Sequence, residues 1–163
     1  MRRQSGPPAV CRATRYRCPM ETGVSYTDLR PDSPERFVPL RRELGVTTFG
    51  LNQVVLQAGE RGRIHAHQHQ EEVYLVLEGT LTLLVDGVAT DLEAGRVARV
   101  GPEVRRQLAN YGPGRLVLIA LGGAQPHEGR DGVAFADWDA STGTSPQELP
   151  APDDIPADQL RRA

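Results

Sequence analysis

The sequence predicts an all-β fold, a sandwich or closed barrel of short strands, on three observations. Runs of β-branched and aromatic residues recur between Thr47 and Leu121, broken by turn dipeptides roughly every 8–12 residues and without a long helical period. Of the 13 prolines, only Pro102 and Pro113 fall between Gly45 and Leu121, so strand-breaking residues are confined to the flanks. Both cysteines, Cys11 and Cys18, stand near the start. A disulfide scaffold is excluded for the body, and two thiols this far apart without partner ligands make a poor zinc site.

Each strand is bounded by its own turn chemistry. The first expected strand, 49–57, ends at Ala58-Gly59. The second, 73–77, is rich in β-branched and aromatic residues and is broken by Glu78-Gly79. Thr80–Val85 follows and runs into Asp86-Gly87, a dipeptide that favours a type I′ hairpin, with 88–92 as the return strand. After Ala94-Gly95 come Val97–Val100, stopped by Gly101-Pro102, and 106–110, stopped at Tyr111-Gly112-Pro113-Gly114. The last strand is 116–121. Leu81, Leu83 and Leu84 share one strand, and Leu75 and Leu77 neighbour Tyr74 and Val76 in another. Apolar residues on both faces favour two covered layers over a single sheet with one wet face.

Composition narrows the function. A chain of 163 residues with formal charge −2 is one ordinary domain, and the near-neutral charge argues against nucleic acid as a partner. No apolar run approaches the roughly 20 residues of a spanning helix, so a membrane partner is not expected, and a cytoplasmic location is. All 19 basic residues are arginine. Without lysine there is no Schiff base, no lysine general base and no P-loop. No Gly-x-Ser-x-Gly elbow is present, so chemistry would be metal-centred or proton transfer.

Three of the four histidines, His65, His67 and His69, stand within five residues, followed by Glu71 and Glu72. Alternate residues of a strand point the same way, so His65 and His67 can converge on one ion. Imidazoles plus a carboxylate suit iron, manganese, zinc, nickel or copper. The carboxylate must come from a neighbouring strand, with a turn over 68–70. Against this stands a solvated histidine patch that takes metal only adventitiously.

Here the sequence resembles the cupin superfamily, small single-domain members. Gly59, five residues, His65, one residue, His67, four residues, Glu72, six residues and Gly79 reproduce the first cupin motif without a gap, as GERGRIHAHQHQEEVYLVLEG. The resemblance covers about 45–121. It implies a double-stranded β-helix, or jelly-roll, with His65, His67 and Glu72 as metal ligands inside the barrel. The spacing to Gly79 selects Glu72, and strand alternation then turns Glu71 outward. His69 is a spare candidate on the turn. The resemblance also implies a homodimer and a small-molecule ligand, with Tyr74 in the pocket wall. Composition sets the flanks apart, so the chain divides into a basic, proline-rich arm (1–44), the barrel (45–122), and a clasp with a polar tail (123–163), the extensions being flexible.

The second cupin motif departs from the pattern. Gly95 and Asn110 fit its ends, but Gly101 stands for the proline, Glu103 for the second glycine and Arg106 for the histidine. Arginine is a permanent cation with donors only and cannot replace a ligand. Three arrangements are open. Arg106 anchors an anionic substrate beside a metal held by three protein ligands, with Tyr74 and Asn110 also binding substrate. Alternatively, it pairs with Glu72 in a metal-free, non-catalytic binding or sensor module. In the third, a bulge turns it outward. The lead function is a protein binding a divalent metal and a small anionic molecule, as an iron- or manganese-dependent oxygenase or isomerase if it is an enzyme.

The flanks carry weaker signals. The first 19 residues hold five arginines and no acid, a solvated arm or an untranslated stretch before a start at Met20. Phe135 and Trp138, three apart, suit a turn of helix clasping the barrel wall; alternatively, His127 or Arg130 folds over the mouth. From Ala140 the four prolines predict a polar tail with little fixed structure, save a short helical turn after Pro156.

Overall fold

The structure is a computed structural model that describes residues 23–123 and 131–161. The chain forms β1 (Phe37–Val38), α1 (Leu40–Leu44), β2 (Gly50–Leu56), β3 (Ile64–His67), β4 (Glu71–Glu78) and β5 (Thr80–Val85). It continues through β6 (Val88–Glu93), β7 (Val97–Val100), β8 (Arg106–Ala109), β9 (Leu116–Gly123) and β10 (Gly132–Phe135), and closes with a 3-10 turn at Ala157–Gln159. Two five-stranded antiparallel sheets result, in the orders β1-β2-β9-β4-β7 and β10-β3-β8-β5-β6. This is the jelly-roll expected from the sequence.

Local chemistry sets the register. The β5–β6 hairpin turns at Asp86 (φ 47°) and Gly87 (φ 80°), both in the left-handed region that a type I′ turn requires. Its pairing Leu83↔Thr90 and Leu81↔Leu92 keeps the leucines on one face, while Thr82 Oγ1 donates to Asp91 across the strand at 2.8 Å. At Gly79 (φ 77°) a side chain is excluded outright, since a Cβ would stand 2.5 Å from the Arg115 carbonyl oxygen. The inward positions of both sheets make one core, including Leu56, Val76, Leu81, Leu108, Leu116 and Leu118. Burying such a side chain contributes about 1.5–3 kcal/mol, which is the main reason the sheets face each other.

The core is apolar at one end and polar at the other. At the apolar end Asn110 ties loops together: its Nδ2 donates to the Leu56 and Gly114 oxygens (2.9 and 2.8 Å) and its Oδ1 accepts from Gly112 N (3.0 Å). The opposite end holds the histidines.

The flanks differ from expectation. Residues 135–138 form no helical turn. Phe135 instead ends β10, which lies along β3 in the register Gly132↔His67 and Ala134↔His65. Satisfying the open backbone edge of β3 outweighs a local i, i+3 aromatic contact. Phe135 is covered by the Arg105 guanidinium, 3.8 Å above its ring, and Arg105 Nη1 donates to the Trp138 carbonyl. The stretch from Ala140 is anchored rather than loose. Thr144 and Ala134 exchange backbone hydrogen bonds, Ile155 is buried with its N–H on the Gly59 oxygen, and Arg63 donates to the Leu149 oxygen. The 3-10 turn after Pro156 is where the sequence placed it. Strand β1 and helix α1 carried no sequence signal. His127, Arg130, both cysteines and the arginine-rich start lie outside the described residues. No helix among the described residues is long and apolar enough to cross a membrane.

Candidate metal site

Strand alternation on β3 puts His65 and His67 on the inner face. The turn at 68–70 carries the chain from one sheet to the other, so Glu72 and Tyr74 on β4 face the histidines from across the barrel. On the neighbouring strand Arg106 stands directly opposite His65 in register and points inward with it; the outward arrangement is not adopted. Three strands thus deliver two imidazoles, a carboxylate, a phenol and a guanidinium to one end of the core.

The contacts converge on one oxygen. Glu72 Oε2 lies 3.5 Å from His65 Nε2 and 3.4 Å from His67 Nε2. It accepts from Arg106 Nη2 at 2.7 Å and from the Tyr74 hydroxyl. Arg106 is fully buried; its Nη1 donates to the Val104 carbonyl at 3.0 Å and its Nε faces the Tyr74 oxygen at 3.4 Å. The two imidazoles meet edge to face, centroids 5.5 Å apart.

The far side of each imidazole is pinned. His65 Nδ1 faces the Arg63 carbonyl at 3.1 Å, and His67 Nδ1 faces Asp131 Oδ1 at 2.7 Å. Both partners are acceptors, so each neutral ring carries its proton on Nδ1 and leaves the Nε2 lone pair toward Glu72. Asp131 is itself held: Oδ2 accepts from the N–H groups of His69 (3.0 Å) and Gln70 (2.8 Å), and Oδ1 from the Gln70 amide. Gly122 makes room for this arrangement, because a Cβ there would stand 2.9 Å from Gln70 Oε1 and 3.7 Å from Glu72 Cγ.

Charge follows from this geometry. Burial pushes the Glu72 carboxyl up, but the adjoining imidazoles, which donate to it whenever they carry a second proton on Nε2, and the Arg106 charge outweigh burial and hold Glu72 well below the usual range. Burial likewise pulls His67 down, and the Glu72 contact outweighs it, so the imidazole is raised above its ordinary value. Tyr74 is raised, first by burial and then by the Glu72 charge, and stays a neutral donor.

The donor set fits a divalent ion. One ligand atom from each of His65, His67 and Glu72 lies within 4.8 Å of the other two. Ligands about 2.1 Å from an ion stand roughly 3.0–3.4 Å apart, and the Glu72–imidazole separations of 3.5 and 3.4 Å are close to that spacing. Arg106 opposes this. Unit charges about 4 Å apart interact by roughly 4 kcal/mol at a surface-like dielectric, and twice that for a 2+ ion. The guanidinium, however, approaches through the Glu72 oxygen, and the intervening negative charge offsets much of the repulsion. His65, His67 and Glu72 could therefore hold a metal.

The other candidate residues are distributed as follows. Tyr74 and Arg106 join the cluster. The His69 ring is exposed on the turn and outside the three-residue group, though its backbone helps to hold Asp131. Asn110 sits at the opposite end of the core. Asp131 and Gln70 were missed by sequence reasoning. No spacing rule links Asp131 to His67, 64 residues earlier; only the β3–β10 pairing does. A pocket of about 640 Å³ opens at this end, with His67, Gln70, Glu72, Asn52 and Gly122 on one side and residues of α1 on the other.

Residues 52–122 match the family of cupin domains. Among solved structures, the chain is similar to a cupin protein from Bacteroides fragilis (19% identity, 74% of this chain and 97% of that one, TM-score 0.56). It is also similar to a conserved protein with a double-stranded β-helix domain from Klebsiella pneumoniae (18%, 67% and 91%, TM-score 0.54). A third, from Acidithiobacillus ferrooxidans, is provisionally named a sugar phosphate isomerase (20%, 61% and 62%, TM-score 0.53), and the chain spans under two thirds of its length. At these identities the likeness is one of fold. None of the curated proteins is similar to this chain.

Proposed function

Residues 52–122 are a cupin domain, and on that premise we propose that the protein binds a divalent metal through His65, His67 and Glu72 and offers it to a small anionic molecule entering the adjoining pocket. The observation that supports this is the pinning of both imidazoles. With Nδ1 of His65 and of His67 each held on an acceptor, both Nε2 lone pairs point at one carboxylate oxygen. A solvated histidine patch has no reason to fix two tautomers toward a common point.

When bound, such an ion supplies Lewis acidity toward a carbonyl or enol oxygen, the chemistry of a metal-dependent isomerase or oxygenase. The chain's own residues do the rest. Tyr74 and Arg106 fix the Glu72 carboxylate by donating to it, and in each neutral imidazole the proton held on Nδ1 leaves Nε2 as the ligating atom. Asn52 and Gln70 line the route by which a ligand reaches the cluster.

A second reading rests on the 2.7 Å Arg106–Glu72 pair. In it the guanidinium replaces the ion, and the barrel is a metal-free, non-catalytic binding or sensor module. Elemental analysis of protein purified without a His tag separates the two, together with His67→Ala. Near-stoichiometric metal in the wild type and its loss in the variant support the first reading. Substoichiometric metal that is unchanged in the variant refutes it.

A further inference from the structure

We infer that the molecule taken by this pocket carries two anionic groups, one turned toward His67 and Glu72 and the other held by Arg42 on α1. The inference rests on the ligand-binding reading above and adds the residue and the charge that select the ligand.

The pocket has one wall from the barrel and one from outside it. His67, Gln70 and Glu72 form the barrel side, and Arg41 and Arg42 of α1 stand across about 640 Å³ of space. Glu72 is the one acid of this lining, and Arg106 already neutralises it at 2.7 Å. Helix α1 reads LRREL, and its own acid, Glu43, is turned to Arg30 at 2.6 Å and to the Thr27 hydroxyl. Arg41 donates to the carbonyl oxygens of Val46 (2.9 Å) and Thr47 (3.3 Å), which shape the loop between α1 and β2.

Arg42 is the exception. It is exposed and lines the pocket, and its guanidinium makes no ion pair or hydrogen bond among the described residues. A guanidinium in this position, facing a cavity whose acid is already paired, is a bidentate receptor for a carboxylate or phosphate oxygen pair. The buried Arg106 cannot do this without releasing Glu72. A ligand reaching from the His67–Glu72 end to α1 therefore meets positive charge on the α1 side, with the Asn52 amide on the wall between.

Isothermal titration of the untagged full chain, loaded with Mn²⁺, with succinate and with its uncharged isostere succinamide tests this. Succinate should bind the wild type at least tenfold more tightly than succinamide. Arg42→Gln should weaken succinate by about 10–100-fold, the range of one charge-assisted hydrogen-bonded contact, and Arg42→Glu by more. Arg42 is exposed, so both variants should keep the wild-type melting midpoint and metal content. Three results overturn the inference: no succinate binding to the wild type, equal binding of succinamide, or wild-type affinity in Arg42→Gln. Repeating the titration on metal-free protein, stripped by chelator and then dialysed free of it, separates the inference from the metal reading. Arg42-dependent binding that persists there supports the anion site whether or not a metal is held, and the metal reading stands or falls on elemental analysis alone.

Discussion

Replacing Asp131 by asparagine keeps the size of the side chain, removes its charge and turns one acceptor into a donor. In the wild type this carboxylate, 2% exposed, receives the His67 ring N–H, two backbone N–H groups and the Gln70 amide. If the asparagine oxygen keeps His67, its NH₂ group faces the N–H groups of His69 and Gln70. Each buried donor left unmet costs about 1–3 kcal/mol, so the turn joining β3 to β4 loosens. The imidazole also loses an anionic partner that raises its basicity and fixes its ring. Outer-shell losses of this kind typically weaken metal by 10–100-fold, about 1.4–2.8 kcal/mol. The assay is titration of apo protein with Co²⁺ or Mn²⁺, run well below the melting midpoint, in the wild type, Asp131→Asn and Asp131→Glu. A lower melting midpoint alone would report only the turn. Wild-type metal affinity in folded Asp131→Asn would refute the claim that Asp131 positions a ligand.

Two further outcomes follow from the same cluster. Arg106→Met removes a fully buried cation and leaves Glu72 facing two imidazoles, so the protein in EDTA should lose about 3–5 kcal/mol. Mn²⁺ should restore part of that loss and bind more tightly than to the wild type, as measured by thermal unfolding with and without metal; no difference in metal response would contradict the placement of Arg106. The second outcome concerns pH. His67 is raised above the ordinary imidazole value, chiefly because the Glu72 contact outweighs burial, while Glu72 stays ionised. Its contribution is therefore complete below the unfolded value of about 6.5 and fades as pH rises through the higher folded value. In EDTA, the stability gap between the wild type and His67→Gln should be larger near about pH 5.5 than near about pH 9. A gap that widens with rising pH would reverse the sign and refute the geometry.

The strands and their turns were legible in the sequence because local chemistry decides them. Asp86-Gly87 has few alternatives to a type I′ turn, and Leu81, Leu83 and Thr82 separate by simple alternation. The pair His65 and His67 was legible for the same reason, since a period of two fixes their common face before anything is known of the partners. Glu72 needed the resemblance to single it out from Glu71. The exposed position of Glu71, ion-paired with Arg99, agrees with that choice.

What only the tertiary structure decided are the contacts made across large sequence separations. Local propensity argued for an aromatic clasp with a helical turn at 135–138, but the open edge of β3 needed hydrogen-bond partners, and residues 132–135 supplied them as a strand. That pairing set Asp131 behind His67. Arg106 could be recognised in the sequence as a misfit for a ligand, yet its choice among three arrangements depended on β8 lying opposite His65, with Glu72 and Tyr74 across the barrel. The alternation of residues along one strand is a local property and is written in the sequence. The electrostatic environment of this site is assembled from β3, β4, β8 and β10 at once, and becomes defined only when the sheets close.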